Sequence, residues 1–197
     1  MKLITLTTDF GVADWFVGVM KGVIAGLAPE VAVVDLTHVV PGGEVRAGAF
    51  ALAAGCRFFP RGTVHVAVVD PGVGGDRLAL AVRTEHYFFV GPDNGVLSWA
   101  LAGEKILGIR QLANEDLFHH PVSRTFHGRD LFAPVAAHLC RGVPFEELGP
   151  ALADYQRLPW PEPRENPEGW EGEIIYLDHF GNAITNLEAS WLEVLAE

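Results

Sequence analysis

Short apolar runs alternate along the first hundred residues with segments whose apolar residues recur at helical spacing. The runs are rich in β-branched residues and short enough to predict strands. The first three are almost continuously apolar, which predicts strands buried on both faces of a sheet. The five predicted strands are Leu3–Thr7, Val31–Leu36, Thr63–Val69, Leu78–Arg83 and His86–Val90.

Helical patterns fill the gaps between the first three runs, at Trp15–Leu27 and Glu44–Phe59. This β-α-β-α-β order predicts an α/β fold with a mixed, mostly parallel sheet sandwiched by helices. Only Thr84 and Glu85 separate the last two runs, which predicts an antiparallel hairpin. Two further helices are predicted, Val96–Ala102 and Arg129–Arg141.

The character of the chain changes after residue 157. Four prolines fall within 158–169, which predicts a Pro-rich linker between an N-terminal α/β domain, 1–157, and a second segment, 170–197. Trp170–Asp178 is predicted as a strand and Asn186–Leu195 as a short helix. The second segment is too short for an independent domain, so we interpret it as the beginning of an incomplete β-rich C-terminal domain.

Composition narrows the classes of partner. A net charge of −11 with only 14 scattered Lys and Arg residues argues against nucleic acid. Cys56 and Cys140 lie in apolar helical patterns, which predicts reduced core thiols and no cysteine-based metal site. The first residues lack a signal-peptide pattern, and the longest apolar stretch, Ala47–Cys56, is too short to span a bilayer. We therefore expect a soluble cytoplasmic protein without a membrane partner.

Candidate chemistry lies where three predicted strands end in aspartate: Asp9, Asp35 and Asp70. Asp70 opens the glycine-rich turn DPGVGGDR, and an acidic strand end followed by glycines is how α/β proteins build a ligand crevice. Asp9 suits ribose hydroxyls, with a helix cap as an equal alternative. Asp35 and His38 could ligate a metal, but a turn aspartate with a surface histidine is the favoured interpretation.

Two later segments also combine polar residues with glycine. His127 precedes Gly128 at a predicted helix start and could act as a base near neutral pH, with a capping or loop histidine as the alternative. Asp130 lies in the first turn of that helix, where its charge complements the helix dipole. Asp178-His179-Phe180-Gly181-Asn182 offers a carboxylate and an amide, or simply a tight turn. The adjacent His119 and His120 are interpreted as loop residues.

Five motifs together resemble the S-adenosyl-L-methionine (SAM) hydroxide adenosyltransferases, which are adenosine-forming SAM hydrolases related to the fluorinating and chlorinating SAM enzymes. The resemblance covers essentially the whole chain in order. It implies hydrolysis of SAM to adenosine and L-methionine by a water that attacks the ribose 5′ carbon, with no metal or cofactor. The motifs are TTDFG (7–11), DPGVGG (70–75) with Arg77, GPDNG (91–95), TFHGRDLFAP (125–134) and DHFGNAITN (178–186).

The resemblance also implies roles for individual residues. Asp70, Arg77 and His127 correspond to the set that positions and activates the water. The halogenating relatives carry an aromatic residue, a tyrosine and a serine at positions 70, 127 and 128, so a carboxylate at position 70 favours water over a halide. The implied substrate-binding residues are Asp9 for the ribose, Asp178 and Asn182 for the methionine group with Phe180 nearby, and Phe10 and Asn94.

Family members continue into a β-rich domain that contacts adenine at a neighbouring subunit of a trimer. The resemblance therefore implies a homotrimer where that domain is present. Two other hypotheses remain open at this stage. One is a non-catalytic module that binds SAM or a nucleoside, and the other is a metal-dependent hydrolase that uses Asp9, Asp35, His38 and Asp70.

Overall fold

A computed structural model describes residues 2–167 and 169–188. The fold is built around a six-stranded mixed sheet. The strand order is β2-β1-β3-β5-β4-β6; β2, β1, β3 and β5 pair in parallel, and β4 runs antiparallel to both of its neighbours. The mixed, mostly parallel sheet and the β4–β5 hairpin confirm the prediction. The strands are β1 Leu3–Thr8, β2 Ala32–Thr37, β3 Val64–Val68, β4 Ala79–Thr84, β5 Phe88–Pro92 and β6 Ile106–Gln111.

β1 is central because β2 and β3 pair with its opposite edges. Every residue of β1 and β3 is buried, as their continuous apolar runs predicted. The same prediction is wrong for β2, which forms the edge of the sheet and exposes Val34 and Asp35. Apolar continuity reports a local preference for burial, whereas the position of a strand in the sheet depends on which strands pair with it.

Helices cover both faces of the sheet and create two hydrophobic clusters. Helix α1 (Phe16–Leu27) and helix α4 (Ala133–Arg141) pack on one face, and α2 (Val45–Cys56) and α3 (Ser98–Ala102) on the other. Two glycines bring α2 close to the sheet. A Cβ at Gly48 would lie 2.7 Å from a methyl of Val69, and one at Gly55 would lie 2.5 Å from a methyl of Leu36.

A helix start and an edge strand also differ from the sequence prediction. The helix predicted over Arg129–Arg141 is α4 preceded by a π-helical turn, Gly128–Phe132. Strand β6 was not predicted. It is an edge strand that contains Gly108, and its outer edge pairs with a loop through the Leu152 N–H and the Ile109 carbonyl, 3.0 Å apart.

The chain divides into two compact units between Leu158 and Pro159. The second unit holds two hairpins, β7 (Arg164–Asn166) with β8 (Gly169–Glu171), and β9 (Ile174–Leu177) with β10 (Ala183–Thr185). The predicted linker therefore contains β7, and the single strand predicted over 170–178 is split between β8 and β9. The helix predicted over 186–195 falls mostly outside the described residues. The assignment of 170–197 to the beginning of a β-rich domain remains a prediction.

Several polar or reactive side chains belong to the core. His65 on β3 is fully buried, its Nδ1 lies 2.7 Å from Oγ1 of Thr5, and burial lowers its pKa to about 4, so it is neutral near pH 7. Cys56 and Cys140 are free and buried in α2 and α4, as predicted. Within 2–167 and 169–188, no helix has the length and apolar character needed to cross a membrane.

Candidate active site

The carboxyl ends of β1 and β3 meet at the middle of the sheet. After β1 the chain crosses to β2 by way of α1, and after β2 it returns past β1 to β3 by way of α2 on the other face. Such a reversal of strand order is where α/β sheets open a ligand crevice. A cavity of about 340 Å³ lies there, and its lining includes Asp9, Phe10, Asp70, Thr125, His127 and Gly128.

Asp70 and Arg77 form a buried ion pair across the glycine-rich turn. The Nε–H of Arg77 donates to both carboxylate oxygens of Asp70 at 3.0 Å, and Nη2 donates to Oδ2. Their side chains are only 4% and 10% exposed. A buried carboxylate is costly unless it is paired, and a guanidinium in this geometry partly offsets its charge and fixes its orientation.

Arg77 also determines which ring nitrogen of His127 carries the proton. Nη2 of Arg77 lies 2.7 Å from Nδ1 of His127. A guanidinium can only donate, so Nδ1 accepts, and the neutral ring carries its proton on Nε2. Burial and the charge of Arg77 lower the pKa of His127, although the charges of Asp70 and Asp130 and the carbonyl of Ser123 act in the opposite direction. The acceptor nitrogen of the neutral His127 ring is therefore occupied by Arg77, and its other nitrogen presents an N–H.

Asp130 anchors the loop that leads to His127. It is fully buried, contacts Nη2 of Arg129 at 3.0 Å through Oδ2, and accepts the backbone N–H of Ser123 at 2.8 Å. Burial alone would raise the pKa of Asp130, but these contacts hold it below its ordinary value. The π-helical turn begins directly after His127, a type of irregularity that is frequent at functional sites.

Gly74 allows the two loops that carry Asp70 and His127 to touch. It has φ of +75°, and a Cβ there would lie 2.2 Å from the carbonyl oxygen of Arg124. We expect Gly74→Ala to displace one loop and to slow turnover by up to about 10²-fold, the cost of an ångström-scale misplacement. Gly62→Ala is the matched control, since Gly62 has φ of +84° but open space around it.

Both glycine variants should lose stability through their positive φ, but only Gly74→Ala should lose turnover. Thermal unfolding and steady-state kinetics measure the two effects separately. Equal kinetics for both variants would show that the contact between Gly74 and Arg124 does not position the site.

Asp9 and Phe10 form another wall of the cavity. Oδ2 of Asp9 accepts the backbone N–H of Gly43 at 2.8 Å, and because a carboxylate has two oxygens, the other can accept ligand hydroxyls. The Phe10 ring packs against Phe16 and Phe126, each with its ring centre 5.9 Å away. This wall therefore offers a polar acceptor beside an aromatic surface.

Asn94 lies behind the site. Its amide donates to the Val69 carbonyl at 2.8 Å and accepts the Val96 N–H at 3.1 Å. These bonds fix the residue that precedes Asp70, and Asn94 is not among the residues that line the 340 Å³ cavity. Its role in substrate binding remains a prediction.

Asp178, Phe180 and Asn182 share the turn between β9 and β10 in the second unit. Asp178 accepts hydrogen bonds from the Phe180 N–H at 2.9 Å, the Asn182 N–H at 2.8 Å and the Asn182 amide at 2.7 Å. The bonds from Asn182 lower the pKa of Asp178, and Phe180 is exposed. The residues form a tight turn, and their contacts with methionine remain predictions.

The structure corrects the interpretation of His38 as a surface histidine. Its side chain is buried, and Asp35, on the edge strand β2, contacts it and Lys21. Asp70, which the metal-site hypothesis grouped with Asp35 and His38, pairs instead with Arg77. In the part of the chain that the structure describes, no group of three or more His, Cys, Asp and Glu is arranged to hold a metal ion.

Comparison with known proteins covers both units. The family model described as the SAM hydroxide adenosyltransferase N-terminal domain matches residues 4–149, and the one for the C-terminal domain matches 172–197. A protein of Salinispora tropica named (R)-S-adenosyl-L-methionine hydrolase is 46% identical over 98% of this chain and 74% of its own. A protein of the same name from Thermus thermophilus is 42% identical over 95% of this chain and 75% of its own.

More distant and structural relatives agree with this grouping. A fluorinase of Nocardia brasiliensis is 27% identical over 98% of this chain and 73% of its own. The crystal structure of an uncharacterized conserved protein from Thermotoga maritima superposes with a TM-score of 0.90 at 39% identity, covering all of this chain and 75% of that one.

Proposed function

This chain belongs to the SAM hydroxide adenosyltransferase family, and we propose that it hydrolyses SAM to adenosine and L-methionine. The observation that carries the proposal is that Arg77 contacts both Asp70 and His127, which line one cavity together with Asp9. Relatives at 42–46% identity are named for the hydrolysis of (R)-SAM, so we assign that epimer as the substrate.

The reaction needs a positioned water more than a strong base, because the sulfonium of SAM is already a good leaving group. The water oxygen attacks the ribose 5′ carbon in line with the sulfur. The C–O bond forms as the C–S bond breaks, and the bonding pair returns to sulfur to give the thioether of methionine. Holding the reactants in this alignment supplies much of the rate.

The proton lost by the water goes to Asp70 and then to solvent. Arg77 pairs with Asp70 and fixes its orientation in the site, and the Nε2–H of His127 can donate to a neighbouring oxygen. Asp9 accepts the ribose hydroxyls, and Phe10 packs beside the nucleoside. The charge that drives departure of sulfur belongs to the substrate, so these steps use no metal or cofactor.

We also propose a cytoplasmic homotrimer that does not bind nucleic acid. The net charge of −11 supports the absence of nucleic-acid binding, since phosphate contacts require clustered cations. The family resemblance supports the trimer, in which the C-terminal domain of one subunit contacts adenine at the next.

The test is hydrolysis of the separate (R) and (S) epimers of SAM in water enriched in ¹⁸O, with products identified by mass spectrometry. We expect adenosine and methionine from the (R) epimer, with the label in the 5′-hydroxyl of adenosine. High chloride should yield no 5′-chlorinated nucleoside, because Asp70 repels the anion. Unlabelled adenosine, or binding without any turnover, would refute the proposal.

A further inference from the structure

One buried histidine holds both ends of the loop that carries Asp9 and Phe10. His38 follows β2, and its side chain is only 5% exposed. Its Nδ1 lies 2.9 Å from Oγ1 of Thr8, and its backbone carbonyl accepts the N–H of Gly11 at 2.7 Å. The loop from Thr8 to Gly11 is therefore fastened at each end to the same residue.

The hydrogen bonds of this network have a defined direction. Oγ1 of Thr8 accepts the N–H of Phe10 at 3.3 Å and keeps its own proton for a second partner, and Nδ1 of His38 lies 2.9 Å away. Nδ1 accepts that proton when the imidazole carries its own proton on Nε2. Nε2 lies 2.9 Å from Oδ1 of Asp35, although the N–H is not well aligned with that oxygen.

The outer end of the network is a charged pair. Oδ2 of Asp35 accepts from Nζ of Lys21 at 2.6 Å. Burial acts to raise the pKa of Asp35, but the contacts with Lys21 and His38 outweigh it and keep the carboxylate ionised. An ionised Asp35 favours the proton on Nε2, which leaves Nδ1 free to accept from Thr8.

We propose that His38 and Thr8 are positioning residues for nucleoside binding, with Asp35 selecting the tautomer of His38. They hold Asp9 and Phe10 in the geometry that receives the ribose, an inference that rests on the proposed function. Gly11, at φ of +71°, has no side chain to fix the loop from within. Neither His38 nor Asp35 is among the residues that line the cavity, so they act on binding through the loop.

Paired substitutions separate the two contacts of His38. In His38→Asn, the amide places a polar atom near the position of Nδ1 and should retain the hydrogen bond to Thr8. In His38→Gln, the longer side chain reaches toward Asp35 and should lose the hydrogen bond to Thr8. Thr8→Val removes the hydroxyl at nearly constant shape, and Thr8→Ser restores it. Thr37→Val is the matched control, since the Thr37 hydroxyl accepts the N–H of the neighbouring Val39 and, among the described residues, makes no hydrogen bond to the loop from Thr8 to Gly11.

We expect His38→Gln and Thr8→Val to raise KM for SAM and Kd for adenosine by about tenfold, the usual cost of a lost hydrogen bond. The single-turnover rate at saturating SAM should change by less than about threefold, because Asp70, Arg77 and His127 are untouched. His38→Asn, Thr8→Ser and Thr37→Val should bind like the wild type.

Hydrogen exchange of the Phe10 and Gly11 amides gives a readout that needs neither substrate nor turnover. We expect faster exchange of both amides in His38→Gln and Thr8→Val alone. If the wild type fails to hydrolyse SAM, the proposed function fails, while exchange still tests the positioning role. Unchanged exchange and binding in both variants, or a failure of His38→Asn and Thr8→Ser to restore them, would overturn it.

Discussion

Replacing Asp70 by asparagine is expected to lower the single-turnover rate of SAM hydrolysis by about 10²–10⁴-fold, the usual value of a positioned base. Asparagine keeps the shape of the side chain but cannot take a proton, and it leaves the buried guanidinium of Arg77 without its counter-charge. Affinity for SAM should change much less, because the ribose hydroxyls are assigned to Asp9. Rapid-quench kinetics and calorimetry measure the two quantities.

Asp76→Asn is the control for this experiment. Asp76 belongs to the same glycine-rich turn but is exposed, so its loss of charge should leave the rate unchanged. If Asp70→Asn weakened binding but kept the single-turnover rate, Asp70 would have to be reassigned from the chemical step to substrate binding.

His127→Ala is expected to lower the chemical rate by about 10²-fold or more, because it removes a group placed beside the reacting water. The pH dependence of the rate tests the protonation state of His127. Neutral His127 accepts from Arg77, and its pKa is lowered, so activity should persist below 6.5, the ordinary histidine pKa, and fall only at more acidic pH. In His127→Asn, whose carbonyl can accept from Arg77 but does not titrate, the part of this decline that comes from protonation of His127 should disappear.

The double variant Asp70→Asn/His127→Ala should be little slower than either single variant, since groups that act as one unit lose their effect together. His120→Asn, in an exposed loop, is the histidine control. A His127→Ala protein that loses affinity but retains its single-turnover rate would contradict the role of His127 beside the water.

The centre of the fold could be predicted because its signals are local. β1 and β3 are continuous apolar runs that end in aspartate, and pairing between them brings Asp9 and Asp70 to one edge of the sheet. The edges could not be predicted as well. The burial of β2 and β6 depends on what covers the outer side of each strand. That in turn depends on which strands pair, and a single sequence does not show the pairing.

The same distinction applies to the site. Asp70 and Arg77 lie seven residues apart in one turn, so their proximity is a local property. The tautomer of His127 depends on Arg77, 50 residues away, and the burial of His38 depends on Thr8, 30 residues away. The residues around His127 and His38 in the sequence do not indicate these long-range contacts, which is why His38 was interpreted as a surface residue.

The central position of β1 has a consequence for how the chain folds. β1 precedes both of its partner strands in the chain, and His127 lies beyond them all. Closing these long loops has an entropic cost that must be met before the contacts are gained, which makes assembly of the cavity a late event. A ligand that spans Asp9 and Asp70 therefore meets only the completed sheet, and by mass action it draws partly folded chains toward the native state.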